Sequence, residues 1–163
     1  MKSKNITLGG IMMALSIVIL YLATIIPINT IAIMTIASSI IAITILRSDV
    51  KTACTVYIGT TILGFFLVPL DFVIYYGVFF GVYGIVKYYI ERLRKLPLEI
   101  ILKLIVFNSM LILISILLGL SFSSLNTTLP SAALILGAQV VFIIYDYALT
   151  IIITFYLNKI HKK

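Results

Sequence analysis

The chain has 163 residues, 63% of them hydrophobic and 10% charged, with a formal net charge of +7. Soluble domains are apolar over about half their residues, so this composition, with a mean hydropathy of +1.26, excludes an ordinary water-soluble fold. A bundle of short membrane-crossing helices uses the whole length, and one domain over residues 1–163 is expected.

Crossing the hydrocarbon core takes about 20 apolar residues. The first run, Ile6–Ile26, comes after Lys2 and Lys4 and stops at Pro27, which cannot donate the next backbone hydrogen bond. It is longer than a signal-peptide core and lacks a small-x-small cleavage site, so it reads as an uncleaved helix. Within it, Gly10-x-x-x-Ala14 sets small residues four apart, a groove that a second helix can approach closely. That second helix lies either in this bundle or in another subunit.

The second run, Ile28–Leu46, offers Ser38 and Ala42 at the same spacing and ends at the turn from Arg47 to Lys51. The third, Thr52–Val68, stops at Pro69 and holds Cys54, whose solitude excludes an internal disulfide or a multi-cysteine metal site. The fourth, Phe72–Ile90, carries Gly77-x-x-x-Gly81 and Gly84, and is expected to leave the membrane as an amphipathic tail, Glu91–Lys95. The fifth, Glu99–Leu120, begins with Glu99 and Lys103 at a spacing that favours an ion pair. The polar stretch Ser121–Pro130 is a hydrated connector or a lid, and the sixth run is Ser131–Leu157. The fold expected is an all-α integral membrane protein, a single bundle of six transmembrane helices.

The basic residues orient it. Lys2, Lys4, Arg47, Lys51, Lys87, Arg92, Arg94, Lys95, Lys103, Lys159, Lys162 and Lys163 are assigned to one side, and the alternate connections carry none. Cytoplasmic loops retain Lys and Arg, so both termini are expected to be cytoplasmic, in a bacterial inner membrane. Positive charge at helix ends meets anionic lipid, which removes the need for a nucleic-acid partner.

Asp146 is the acidic residue deepest in a span, roughly 22 Å along the helix from Ser131 and roughly 18 Å from Asn158. A carboxylate there costs about 3 kcal/mol or more unless it has a partner. Asn108, at comparable depth, is the expected partner, and Lys103 either extends toward Asp146 or reaches outward to the interface. Asp146 belongs either to a ligand site or to an interhelical hydrogen bond.

Tyr76, Phe80 and Tyr83 recur at i, i+4 and i+7 and so are expected to share a helical face, while Phe142, Tyr145 and Tyr147 flank Asp146. An aromatic pocket with one carboxylate suits a flat neutral or cationic organic ligand. Tyr75 reads as an interfacial anchor. The substrate-binding set is therefore Asp146, Asn108, Tyr76, Phe80, Tyr83, Phe142 and Tyr145. No phosphate-cradling loop, serine elbow or His-Glu-x-x-His is present, and His161 sits in the basic tail. Neither an enzyme nor a cofactor or metal site is indicated.

With its Lys-containing start, the small residues Gly10 and Ala14 early in the first span, six compact spans and both ends inside, the chain resembles the S components of energy-coupling factor transporters. The resemblance implies a substrate-binding membrane subunit for a vitamin-like micronutrient, with a site in the outward half. It also implies partners comprising a transmembrane coupling subunit and two ATPases, docked on the first helix at Gly10 and Ala14. The connection Pro27–Thr30 is shorter than the lid of many members. A small non-transporting scaffold or assembly factor explains the same small-residue motifs, and an ion-conducting oligomer centred on Asp146 is a third reading.

Overall fold

The computed structural model describes residues 3–26, 29–119 and 131–161, and no strand occurs among them. Pro27 and the Ser121–Pro130 connection lie outside the described residues. Among the described residues six helices are long and apolar enough to cross a membrane: α1 Ser3–Ile25, α2 Thr30–Arg47, α3 Val50–Leu67, α4 Leu70–Glu91, α5 Leu96–Leu117 and α6 Ser131–His161. The end of the bundle at which α1 begins and α6 finishes is called proximal here, and the opposite end distal.

Helix boundaries depart from the apolar runs where polar residues supply caps. Helix α1 starts at Ser3, inside the polar lead, and Asn5 Nδ2 donates to Asp49 Oδ2 at 3.1 Å. Asp49 in turn caps α3, accepting from Thr52 N at 2.6 Å. A side-chain acceptor of this kind satisfies one of the free N–H groups at a helix start. At the other proximal turn no amphipathic tail forms. Helix α4 ends at Glu91, Arg94 adopts a left-handed φ of 53°, and α5 begins at Leu96 with a proline in its first turn. Proline suits that position because its missing N–H would be unpaired anyway.

Helices α1, α2 and α3 pack on one another, α4 packs on α2, α5 on α4, and α6 along α2. Small residues set the close approaches. A Cβ on Gly84 would meet the Ser38 carbonyl oxygen at 3.3 Å and the Ala42 nitrogen at 3.5 Å, so α4 and α2 touch backbone to backbone. On α1 the buried stripe is Gly9, Ser16, Leu20 and Ala23, with Gly9 against Thr52 and Val56. Gly10 and Ala14 lie on the exposed face.

Helix α4 is not regular. Residues Tyr76–Phe80 form a π-helical turn in which the Gly81 N–H donates to the Tyr76 carbonyl. Tyr57 of α3 supports it, its hydroxyl donating to the Gly77 carbonyl at 2.7 Å. A Cβ on Gly81 would come within 2.7 Å of the Tyr57 ring, so glycine leaves the space the ring occupies. The wide turn adds one residue to the register and re-aims every side chain beyond it. Tyr76 therefore points toward α1 and α3, beside Thr60 and Ser16, while Phe80 packs on Tyr145 of α6. The expected shared face of Tyr76, Phe80 and Tyr83 is broken at this turn.

Candidate functional site

Helix α6 lies close along α2 but meets α4 and α5 through long side chains. The space between is filled in two different ways.

In the distal half it is filled by rings, and incompletely. Phe107 of α5 stacks on Phe142 of α6 with centroids 4.4 Å apart and planes 12° apart. Phe79 of α4 meets Phe107 at 5.7 Å and Tyr145 at 5.1 Å. Offset and edge-on contacts of this kind stabilise beyond the area they bury. Tyr145 is held by a 2.8 Å hydrogen bond to Ser38 Oγ on α2. Beside these rings lies a cleft of about 380 Å³, walled by Thr30, Ile31 and Met34 of α2, the aromatic cluster, and Ala138 and Val141 of α6. A volume of this size falls within the range of small-molecule sites.

In the proximal half the gap is bridged by charge. Lys87 of α4 is 1% exposed, and its ammonium pairs with Asp146 Oδ1 and, at 2.9 Å, with Glu91 Oε1. It also donates to Thr150 Oγ1 at 2.8 Å. Lys103 of α5 pairs with the same two carboxylates, at 2.9 Å to Asp146 Oδ2 and 2.8 Å to Glu91 Oε1. The Tyr83 hydroxyl donates to Asp146 Oδ1 at 2.7 Å. Two lysines and two carboxylates thus form a closed, neutral ring joining α4, α5 and α6. Burying charge is tolerable when every charge is paired and hydrogen-bonded, and here Lys87 uses all three of its donors.

Of the seven expected ligand residues, Phe80, Phe142 and Tyr145 line the cleft. The other four do not. Tyr76 faces α1 and α3, Tyr83 lies beneath the cleft floor, Asp146 belongs to the ion ring, and Asn108 bonds elsewhere. Asn108 Oδ1 accepts from Gln139 Nε2 at 2.8 Å and its amide donates to the Leu104 carbonyl, so it is not the partner of Asp146. The expected Glu99–Lys103 pair is likewise replaced by Lys103 with Glu91 and Asp146. Lys87 and Lys103 lie within the spans, as the apolar runs place them, and Lys103 extends toward Asp146 rather than outward to the interface.

Lys87, Glu91, Thr150 and Gln139 do not stand out in the sequence as site residues. Their signal is spacing: Tyr83, Lys87 and Glu91 repeat every four residues on one face of α4, as Asp146 and Thr150 do on α6. Among the described residues, no cluster of His, Cys, Asp and Glu could hold a metal ion. No family model, curated protein or solved structure matches this chain.

Proposed function

We propose that the chain captures a small organic molecule in the distal cleft, as the substrate-binding membrane subunit of an importer of the energy-coupling factor type. The observation that carries this reading is the aromatic cleft of about 380 Å³ between α2, α4, α5 and α6. Two others support it. The helix-end cations Arg47, Lys51, Arg92, Arg94 and Lys95 fall at the proximal turns, which by the bias of cytoplasmic loops makes the cleft outward-facing. Helix α1 offers Gly10 and Ala14 on an exposed face, as a subunit docked there requires.

On this reading the energy for uptake comes from a coupling subunit and its two ATPases, and the absence of a phosphate-binding loop from the chain is compatible with that. The ligand is flat and uncharged. Asp146 is consumed by two lysines and does not line the cleft, which withdraws the reason for a cationic ligand.

The test is affinity capture of the full chain from native membranes. Recovery of a coupling subunit with ATPases, lost when Gly10 and Ala14 are both replaced by leucine, is the expected result. Recovery of an envelope-assembly or division protein without any ATPase would instead establish an assembly factor.

A further inference from the structure

Three residues of the cleft wall, Ile31, Val141 and Tyr145, also line a second concavity of about 460 Å³ on the flank of the bundle between α2 and α6. Ile31 is 55% exposed and Val141 48%, so both stand at the lipid-facing surface, with Tyr145 buried behind them. The exposed side chains of Ile31 and Val141 are therefore common to the cleft and to the outer surface. The outer groove continues past Ala32 and Ile36 on α2 and past Ile144, Ala148 and Ile152 on α6. From Val141 to Ile152 it runs about 16 Å along the helix, the scale of a medium-length hydrocarbon chain.

Neither space has a charged residue in its wall. Of the polar side chains in the two walls, Tyr145 is bonded to Ser38 and Thr35 to the Ile31 carbonyl, and Asn29, Thr30 and Tyr75 add polar groups at the distal end. A hydrophilic solute entering here would leave most of its own polar groups unmatched, at a cost each. An apolar solute already dissolved in lipid has none to leave. The groove cannot attract a hydrocarbon chain by the hydrophobic effect, since lipid is equally apolar, but it can direct one by shape.

We propose that the ligand is lipophilic, a neutral ring system carrying a hydrocarbon chain. It enters sideways from the bilayer between Ile31 and Val141, with its ring in the cleft and its chain along the α2–α6 groove. This rests on the cleft being a ligand site.

The test uses the full chain in maltoside micelles with two probes, pyrene and dodecylpyrene. The chain has ten tyrosines and no tryptophan, so energy transfer from tyrosine to pyrene reports binding. Ala138→Phe fills the cleft. Ala32→Phe and Ala148→Phe obstruct the groove from opposite helices, so a folding defect in one does not decide the result. Monodisperse elution and an unchanged melting temperature qualify each variant. Ala138→Phe should weaken both probes by about tenfold or more, and the groove variants should weaken dodecylpyrene by about tenfold while leaving pyrene within about twofold. If dodecylpyrene binds both groove variants as it binds the parent chain, or pyrene is lost from them equally, the sideways route is wrong and the cleft reading stands. If Ala138→Phe changes neither probe, or neither saturates, the cleft is not a ligand site and both readings fall.

Discussion

The two sides of this bundle are held together by opposite means. Helices α1 to α3 and the proximal part of α4 approach closely over small residues, Gly9 against Thr52 and Val56 and Gly84 against the backbone of Ser38 and Ala42. Helix α6 meets α4 and α5 through Phe107 on Phe142 and through the ring of Lys87, Glu91, Lys103 and Asp146. Close packing leaves no room for anything else and tolerates few changes of size. Contact through long side chains leaves a cleft, and it depends on chemical identity: a paired charge cannot be exchanged for a residue of equal volume. The cleft lies on the side held by long side chains, beside rings in the distal half and above paired charges in the proximal half.

The largest effect should come from cutting the ring. Lys87→Met leaves two carboxylates facing one lysine, and removing one member of a buried ion pair costs about 3–5 kcal/mol. Thermal unfolding, read with a thiol-reactive dye at the lone Cys54, should register it. Combining Lys87→Met with Asp146→Leu restores a one-to-one pair of Lys103 and Glu91, so the double variant should lose less than the sum of its parts. Strict additivity would mean that the four charges do not act as a unit.

The close-packed side should fail by size instead. Gly84→Leu forces α4 off α2 and should cost about 1–3 kcal/mol. Gly137→Leu on α6, where a Cβ meets nothing within 4 Å, should be silent in the same assay. Equal losses from the two would contradict the contrast between the sides. Tyr145→Phe is a milder cut: it deletes the hydrogen bond to buried Ser38 and should cost about 1 kcal/mol.

The smallest expected effect depends on pH and lies outside the six long apolar helices. Hydrogen bonds from the Thr52 side chain and N–H hold the Asp49 carboxyl below the usual carboxylate range. A carboxyl depressed in the folded state stabilises above its unfolded value of about 4, and that contribution is lost as pH falls through the folded value. The melting difference between the parent chain and Asp49→Ala should therefore be full at neutral pH and shrink in acid. A difference independent of pH would mean that Asp49 acts without its charge.

The six spans are legible in the sequence because each is a long apolar run closed by proline, by charge or by a polar stretch, and those signals are local. Of the ion ring only the Lys103–Asp146 contact is among the alternatives the sequence offers, because position along a span does not say which way Lys87 or Glu91 points. Only the meeting of three helices shows that Lys87 points inward and needs both carboxylates. Asn108 matches Asp146 by depth alone, and depth says nothing about rotation around a helix axis. Gln139 lies on the facing side of α6 and takes that amide. The aromatic residues of the cleft are half legible for the same reason: Phe142 and Tyr145 sit on a regular helix, whereas Tyr76 and Phe80 are separated by a change of register that no periodicity in the sequence announces.

That change of register also acts as a length gauge. Each residue turns an α-helix by about 100°, and the wide turn absorbs one residue: Gly81, bonded to the Tyr76 carbonyl, stands where the fourth residue after Tyr76 would stand in a regular helix. If the same residues wound as a regular α-helix, Tyr83, Lys87 and Glu91 would swing together by about that angle, away from Asp146. A relative lacking one residue within Tyr76–Phe80 would therefore carry a regular α4 and keep the ring. A relative of the same length needs the wide turn, with Tyr57 to bond its carbonyl and glycine at position 81 to admit the tyrosine.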